Sequence, residues 1–220
     1  VVPAMVRRQD SPPLVSAIAS RQIKERLAMV LKQLRRAAHA SHDEPEPVHQ
    51  LRVACRRARA ALEFFAAALP KRKTEWFLRK LRKIRKAADE ARNLDVYRQR
   101  LAQQEQTLPV DVAALLEQRR IAAHKPLRKL DKQLRASKRW QQKQRQLLKK
   151  LRYSRQRAPV LDQPLHVFVP LALEPTLAEF TAALHSPGQS AKRLHALRVA
   201  GKHLRYALEL LEPVFPKRSR

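Results

Sequence analysis

Apolar residues recur along most of the chain at three- and four-residue intervals, the spacing of one face of an α-helix rather than the alternation of a half-buried strand. Residues 14–40 carry Leu14, Ile18, Ile23, Leu27, Val30, Leu31 and Leu34 in this rhythm, which predicts a first helix. The segment from His42 to Pro47 holds two prolines and interrupts it. A second helix is expected from Pro47 to Leu69, since proline is tolerated in a first turn, and Pro70 ends it. A third is expected from Thr74, whose hydroxyl is placed to cap it, to Gln104. Leu108-Pro109 separates it from a fourth over 111–135, and Ser137 is read as the start of a fifth reaching Arg157. Four prolines between residues 158 and 175 form the main break. Two more helices follow over 175–185 and 190–212, divided by Ser186-Pro187-Gly188. Seven helices and no strand make the predicted fold all-α.

An internal repeat refines this picture. The segment HQLRVACRRARAALE from His49 and the segment HALRVAGKHLRYALE from His195 are identical at nine of fifteen positions, at an offset of 146. The matches include His49/His195, Arg52/Arg198, Arg59/Arg205 and Glu63/Glu209, and Lys202 stands opposite Arg56. The same offset pairs Pro70-Lys71-Arg72 with Pro216-Lys217-Arg218. Two copies of one helical unit, over 48–72 and 194–218, predict two pseudo-symmetric helical bundles. The domain reading is a flexible N-terminus over residues 1–13 followed by a single helical domain over 14–220.

At about 100° per residue, Leu51, Cys55, Ala58, Leu62 and Phe65 share one stripe of the second helix, the face expected to be buried. His49, Arg52, Arg56 and Arg59 lie roughly 120° away on the same wheel. His195, Arg198, Lys202 and Arg205 repeat that cationic stripe in the last helix, beside an apolar stripe of Leu197, Leu204, Leu208 and Leu211. Like charges at three- and four-residue spacing repel by roughly 0.2–0.5 kcal/mol per pair. Nothing within the folded chain explains tolerating this twice, whereas an anion bridging the cations does. A third cationic stripe, Arg79, Arg82, Lys83 and Lys86, lies opposite Phe77, Leu81, Ile84 and Ala88. Facing inward, the three stripes would line one basic groove or pore. His49 sits in the first turn of its helix, where free N–H groups also favour an anion; a neutral histidine at a helix–helix contact is the other reading.

Whole-chain charge gives these stripes their weight. The 220 residues carry 48 Lys and Arg against 19 Asp and Glu, a formal charge of +29. Such an excess destabilises a compact body by self-repulsion and answers a polyanion: nucleic acid, an anionic membrane or a chain of phosphates. Only two glycines are present, too few for Rossmann or P-loop phosphate cradles. A single cysteine excludes a disulfide framework and Cys-rich zinc modules, and Cys55 reads as a small core residue. No nucleophile elbow and no metalloprotease helix occurs, so neither a catalytic nor a metal residue is expected. His39 and His42 straddle a helix end, and Asp89, Glu90 and Asp95 stand among cations they are expected to pair with or cap. The N-terminus lacks the continuous apolar segment of a signal peptide, and no run is read as long enough to span a membrane. A soluble cytoplasmic protein is therefore expected.

The paired segments VHQLRVACRRARAALEFF and LHALRVAGKHLRYALELL, with LRKLRKIRKAADEARNLDVYRQRL between them, resemble the signature helices of the conserved histidine α-helical domain, CHAD. The resemblance implies an all-α fold of two pseudo-symmetric bundles around a basic cavity. It implies binding of inorganic polyphosphate without catalysis by the domain itself. The reading is a non-enzymatic, cofactor-free protein of the bacterial type, for which targeting to polyphosphate granules, sensing and scaffolding for a partner enzyme all need the same groove. Carried over residue by residue, the phosphate-facing set is His49, Arg52, Arg56, Arg59, Arg79, Arg82, Lys83, Lys86, His195, Arg198, Lys202 and Arg205. Two positions depart from the family pattern: Arg92-Asn93 stands where Arg-Asp is common, and Asp89 where a glycine is frequent. Arg92 is not counted in the expected site, nor is His203, which replaces Arg57 of the first copy off the stripe.

Sequence-independent nucleic-acid binding is the main alternative, because it uses the same phosphate electrostatics. Base recognition needs a presented helix, and single strands need aromatic platforms. Aromatic residues make up 5% of the chain, and Trp76, Phe77 and Trp140 do not interleave with the basic stripes. Nucleic acid is thus expected as the weaker competitor. Membrane attachment ranks below both, since the apolar faces are needed for the core.

Overall fold

The computed structural model describes residues 13–41, 44–104, 109–153, 159–188 and 190–212. Eight α-helices lie within them: α1 Val15–His39, α2 Glu46–Phe64, α3 Lys71–Ala87, α4 Asp89–Gln103, α5 Val110–Ser137, α6 Arg139–Tyr153, α7 Leu165–His185 and α8 Ala191–Leu211. Short 3-10 turns occupy Ala66–Ala68 and Pro159–Asp162. No strand is present among the described residues; a single antiparallel bridge joins Leu14 to Pro164. It sets the starts of α1 and α7 side by side through Val15 N–H to Gln163 O (3.1 Å) and Leu165 N–H to Pro13 O (3.0 Å). Apart from Pro13, the expected flexible N-terminus lies outside the described residues, as do residues 213–220 with the last part of the repeat.

The core follows the apolar stripes of the first two helices. Ile23, Leu27, Val30 and Leu34 of α1 and Leu51, Cys55, Ala58 and Leu62 of α2 are all nearly inaccessible. Phe77, Leu81 and Ile84 of α3 join them, and Phe77 packs edge-on against Trp140 of α6 with centroids 5.1 Å apart. Trp140 and Phe77 are therefore core side chains, and the half-buried Trp76 packs against both. α2 packs chiefly on α1, α3 and α8, and α8 packs chiefly on α7 and α2.

Five boundaries differ from expectation. The second helix ends at Phe64, short of the expected Leu69, and a 3-10 turn over Ala66–Ala68 follows it. The third helix is two helices: Ala88, at φ −93° and ψ −5°, ends α3, and Asp89 starts α4. Thr74 is no cap, because α3 begins at Lys71 and the Thr74 hydroxyl donates back to Pro70 O (3.2 Å). Ser137 closes α5 instead of opening α6, and the break falls on Lys138 in the left-handed region at φ 48°. The proline-rich break is mostly helix. α7 starts at Leu165 and runs through Pro170 and Pro175, each of which removes one backbone hydrogen bond. Both prolines and the residues four before them are exposed, so the freed carbonyls face water. At 21 residues α7 is long and apolar enough to cross a membrane by length and composition, which corrects the expectation that no run is; only Leu165 and Phe168 in it are buried.

The apolar stripe of α8 is also less covered than expected. Leu208 is 46% exposed and Leu194 57%, whereas their counterparts Leu62 and Val48 are fully buried. Of the expected stripe Leu211 is buried, and Ala200, Tyr206, Ala207 and Leu210 complete the buried face. Gly201 admits the Phe180 ring of α7, which lies 3.5 Å from where a β-carbon would stand.

Candidate functional site

α2 and α8, the two copies of the repeat, are packed neighbours, and their cationic stripes meet. Lys202 of α8 has its pKa lowered by burial first and then by Arg198, Arg56 and Arg205. Arg56 belongs to α2, so charge from both copies converges on one place. Its Nε atom is buried and has no hydrogen-bond partner among the described residues. Arg56 and Arg59 of α2 also share a cleft of about 60 Å³ with Glu63 and with Leu78, Arg82 and Arg85 of α3. Cys55 lies on its floor, its thiol pushed up to about 12 by burial.

His49 is half-buried near the start of α2. Its pKa is lowered by burial first and then by Arg92, with Arg56 and Arg52 acting in the same direction and Glu46 against them. Free His49 is thus held toward its neutral form beside three guanidinium groups. A phosphate placed among them would remove the repulsion and favour the imidazolium.

Carboxylates occupy several of these cations. Arg52 Nη1 donates to Asp89 Oδ1 at the first residue of α4. Arg59 bonds Glu63 (2.8 Å) and Arg205 reaches Glu209 (3.7 Å), the same intrahelical pair in each copy. Arg57 of α2 bonds Glu209 of α8 (2.7 Å), and Arg26 of α1 reaches the Glu209 backbone O (3.4 Å), tying the two repeat helices together. His203, at the position of Arg57 in the second copy, faces Glu179 of α7 instead (3.3 Å).

Of the twelve expected residues, the structure gathers His49, Arg52, Arg56, Arg59, Arg82, Arg198, Lys202 and Arg205 into this region. Arg79 turns away toward Glu75 (3.9 Å). Lys83 and Lys86 are exposed, and no ion pair or cleft among the described residues joins them to Arg56. The reason is helical phase: the side of α3 facing α2 carries Leu78, Arg82 and Arg85, and the other three cations lie past its edge. His195 is exposed at the start of α8 with no hydrogen bond among the described residues. Arg85 and Arg92 belong to the region but were not expected there. Arg85 was findable from its three-residue step after Arg82; the helix break at Ala88 hides the phase of Arg92.

Two further acids are engaged structurally. Asp95 and Arg120 form a buried pair (3.2 Å), with the Asp95 pKa raised by burial against the pull of Arg120. Asp131 accepts from Arg135 (2.8 Å) and contacts His39 (3.3 Å). No group of three or more metal-ligating side chains occurs among the described residues, and His42 lies outside them.

A family model described as the CHAD domain matches residues 21–220. The chain is similar to the crystal structure of the CHAD domain from the plant Ricinus communis, with a TM-score of 0.64 and 21% sequence identity, over 96% of this chain and 70% of that one. No curated protein matches.

Proposed function

The chain belongs to the CHAD domain family, and on that premise we propose that it binds inorganic polyphosphate along the cationic face that α2 shares with its neighbours α3 and α8, which would form one groove. The observation that carries this reading is the packing of α2 against α8, the two repeat helices with their cationic stripes, with the Arg56 Nε buried and unpartnered among the described residues. Two packed helices that bring like charges together gain nothing from it in the free chain. A flexible polyanion placed between them gains from every cation at once.

Each contact would be a charge-assisted hydrogen bond, bidentate where arginine is the donor. Affinity would rise with chain length, because successive phosphates share one tethered ligand. His49 would add a proton-linked contact at the start of α2. The two repeat helices and their matching Arg–Glu pairs support a pseudo-symmetric pair of half-sites around the groove. The reading involves no catalytic step and no cofactor.

The test is the triple variant Arg56→Ala, Arg198→Ala and Lys202→Ala, titrated with long-chain polyphosphate at fixed ionic strength. Binding is expected to fall by at least about 100-fold, taking charged hydrogen bonds at about 1.5–3 kcal/mol each. The free variant is expected to melt no lower than the parent, since only repulsive neighbours are lost. Unchanged affinity in a folded variant would move the site elsewhere.

Sequence-independent nucleic-acid binding uses the same cations. The aromatic side chains speak against it: Trp140 and Phe77 are buried in the core, and Trp76 packs against both. Among the described residues, no series of exposed rings interleaves with the cationic stripes as a stacking platform would.

A further inference from the structure

Resting on the polyphosphate reading, we infer that Asp89 is a built-in competitor for the anion, and that it sets the affinity of the groove by holding Arg52. The break at Ala88 is what places it. α3 ends there and Asp89 becomes the first residue of α4, where its carboxylate meets the Arg52 guanidinium of α2, 37 residues away in sequence. The positive end of the α4 dipole favours a carboxylate at that position. The side chains of Arg52 and Asp89 are 23% and 48% exposed, so an incoming anion can reach the pair.

This pair differs from the other two on the stripes. Arg59–Glu63 and Arg205–Glu209 join residues four apart on one helix. Those carboxylates flank their arginines whether or not a ligand is present. Asp89 comes from another element and occupies the middle of the stripe, with His49 one helical step before Arg52 and Arg56 one step after. Their three- and four-residue spacing within α2 places the three groups together on one face. A phosphate chain laid along them meets the Asp89 carboxylate at Arg52. It must displace that carboxylate or share the guanidinium with it against like-charge repulsion, and either course weakens binding. In the free chain the same contact stabilises α4 against α2 by partnering a cation that would otherwise only repel its neighbours.

The test is a double-mutant cycle of Asp89→Asn and Arg52→Ala, titrated with long-chain polyphosphate at one ionic strength, with melting of each free protein measured alongside. Asp89→Asn is expected to bind about two- to fivefold tighter, the range for losing one partly exposed competing pair. Its free form is expected to melt lower. A residue needed only for packing would lower both stability and affinity. In the Arg52→Ala background, Asp89→Asn is expected to gain less than about twofold, since only its long-range charge remains to be removed. If the parent chain binds and Asp89→Asn is no tighter, or gains as much without Arg52, the competitor role is overturned while the polyphosphate reading stands. If the parent chain does not bind polyphosphate, both fall together.

Discussion

His49 is surrounded by cations, and its protonation is therefore coupled to whatever anion it meets. In the free chain, burial and then Arg92 hold its pKa below the ordinary histidine value. A bound phosphate raises it again, so binding takes up a proton in the interval between the two values. Polyphosphate affinity is expected to rise as pH falls from about 7.5 through the histidine range near 6.5, and to level off below the free-state pKa. Dissociation constants measured across pH for the parent and for His49→Asn check this; the variant is expected to show a flatter profile. The stability of the unliganded chain has the opposite dependence. A base with a lowered folded pKa contributes stability that is present above its unfolded value and is lost as pH falls through the folded one. His49 was legible as a candidate because the repeat returns it at His195, yet only His49 is gathered into the groove. Arg92 carried no such mark.

At the scale of elements, the apolar stripes of α1, α2 and α3 were readable because each faces a dense core and keeps one phase from end to end. Two kinds of signal misled. The charge-rich run after Thr74 shows no proline or glycine, so the break at Ala88 is invisible to a helical wheel that assumes one phase. In α7 the prolines are visible but do not end the helix, because the carbonyls they free are on the wet side. The repeat helices α2 and α8 illustrate how neighbours, rather than local sequence, decide burial. Leu62 and Leu208 occupy the same position in the repeat, yet one is fully buried and the other 46% exposed. Leu62→Ala is expected to cost about 2–5 kcal/mol of stability, as for a fully packed leucine. Leu208→Ala is expected to cost less than about 1.5 kcal/mol, in proportion to the smaller area it withdraws from water. Urea unfolding of the two variants checks the contrast, and equal losses would mean that α8 is covered in solution as α2 is.

For the molecule as a whole, the excess of 29 positive charges is the property that any functional account must use. A polyanion that binds only the folded chain stabilises it by mass action and relieves its self-repulsion. The charge itself was legible from composition, and the repeat indicated that it would be concentrated. Which cations converge was not legible, since that depends on α2 and α8 packing together and on the rotation of α3 against α2. Arg82 and Arg85 therefore line the cleft beside Arg56, and Arg79, Lys83 and Lys86 lie outside it. The central claim is that this groove recognises a bare chain of phosphates, and a competition titration at fixed ionic strength tests it most directly. Labelled long-chain polyphosphate is bound, then challenged with duplex DNA, single-stranded RNA and short oligophosphates at equal phosphate concentration. Only unlabelled long-chain polyphosphate is expected to displace the label efficiently, with short oligophosphates weaker and nucleic acids weaker still. Equal displacement by DNA or RNA would contradict the account and make the groove a general polyanion surface.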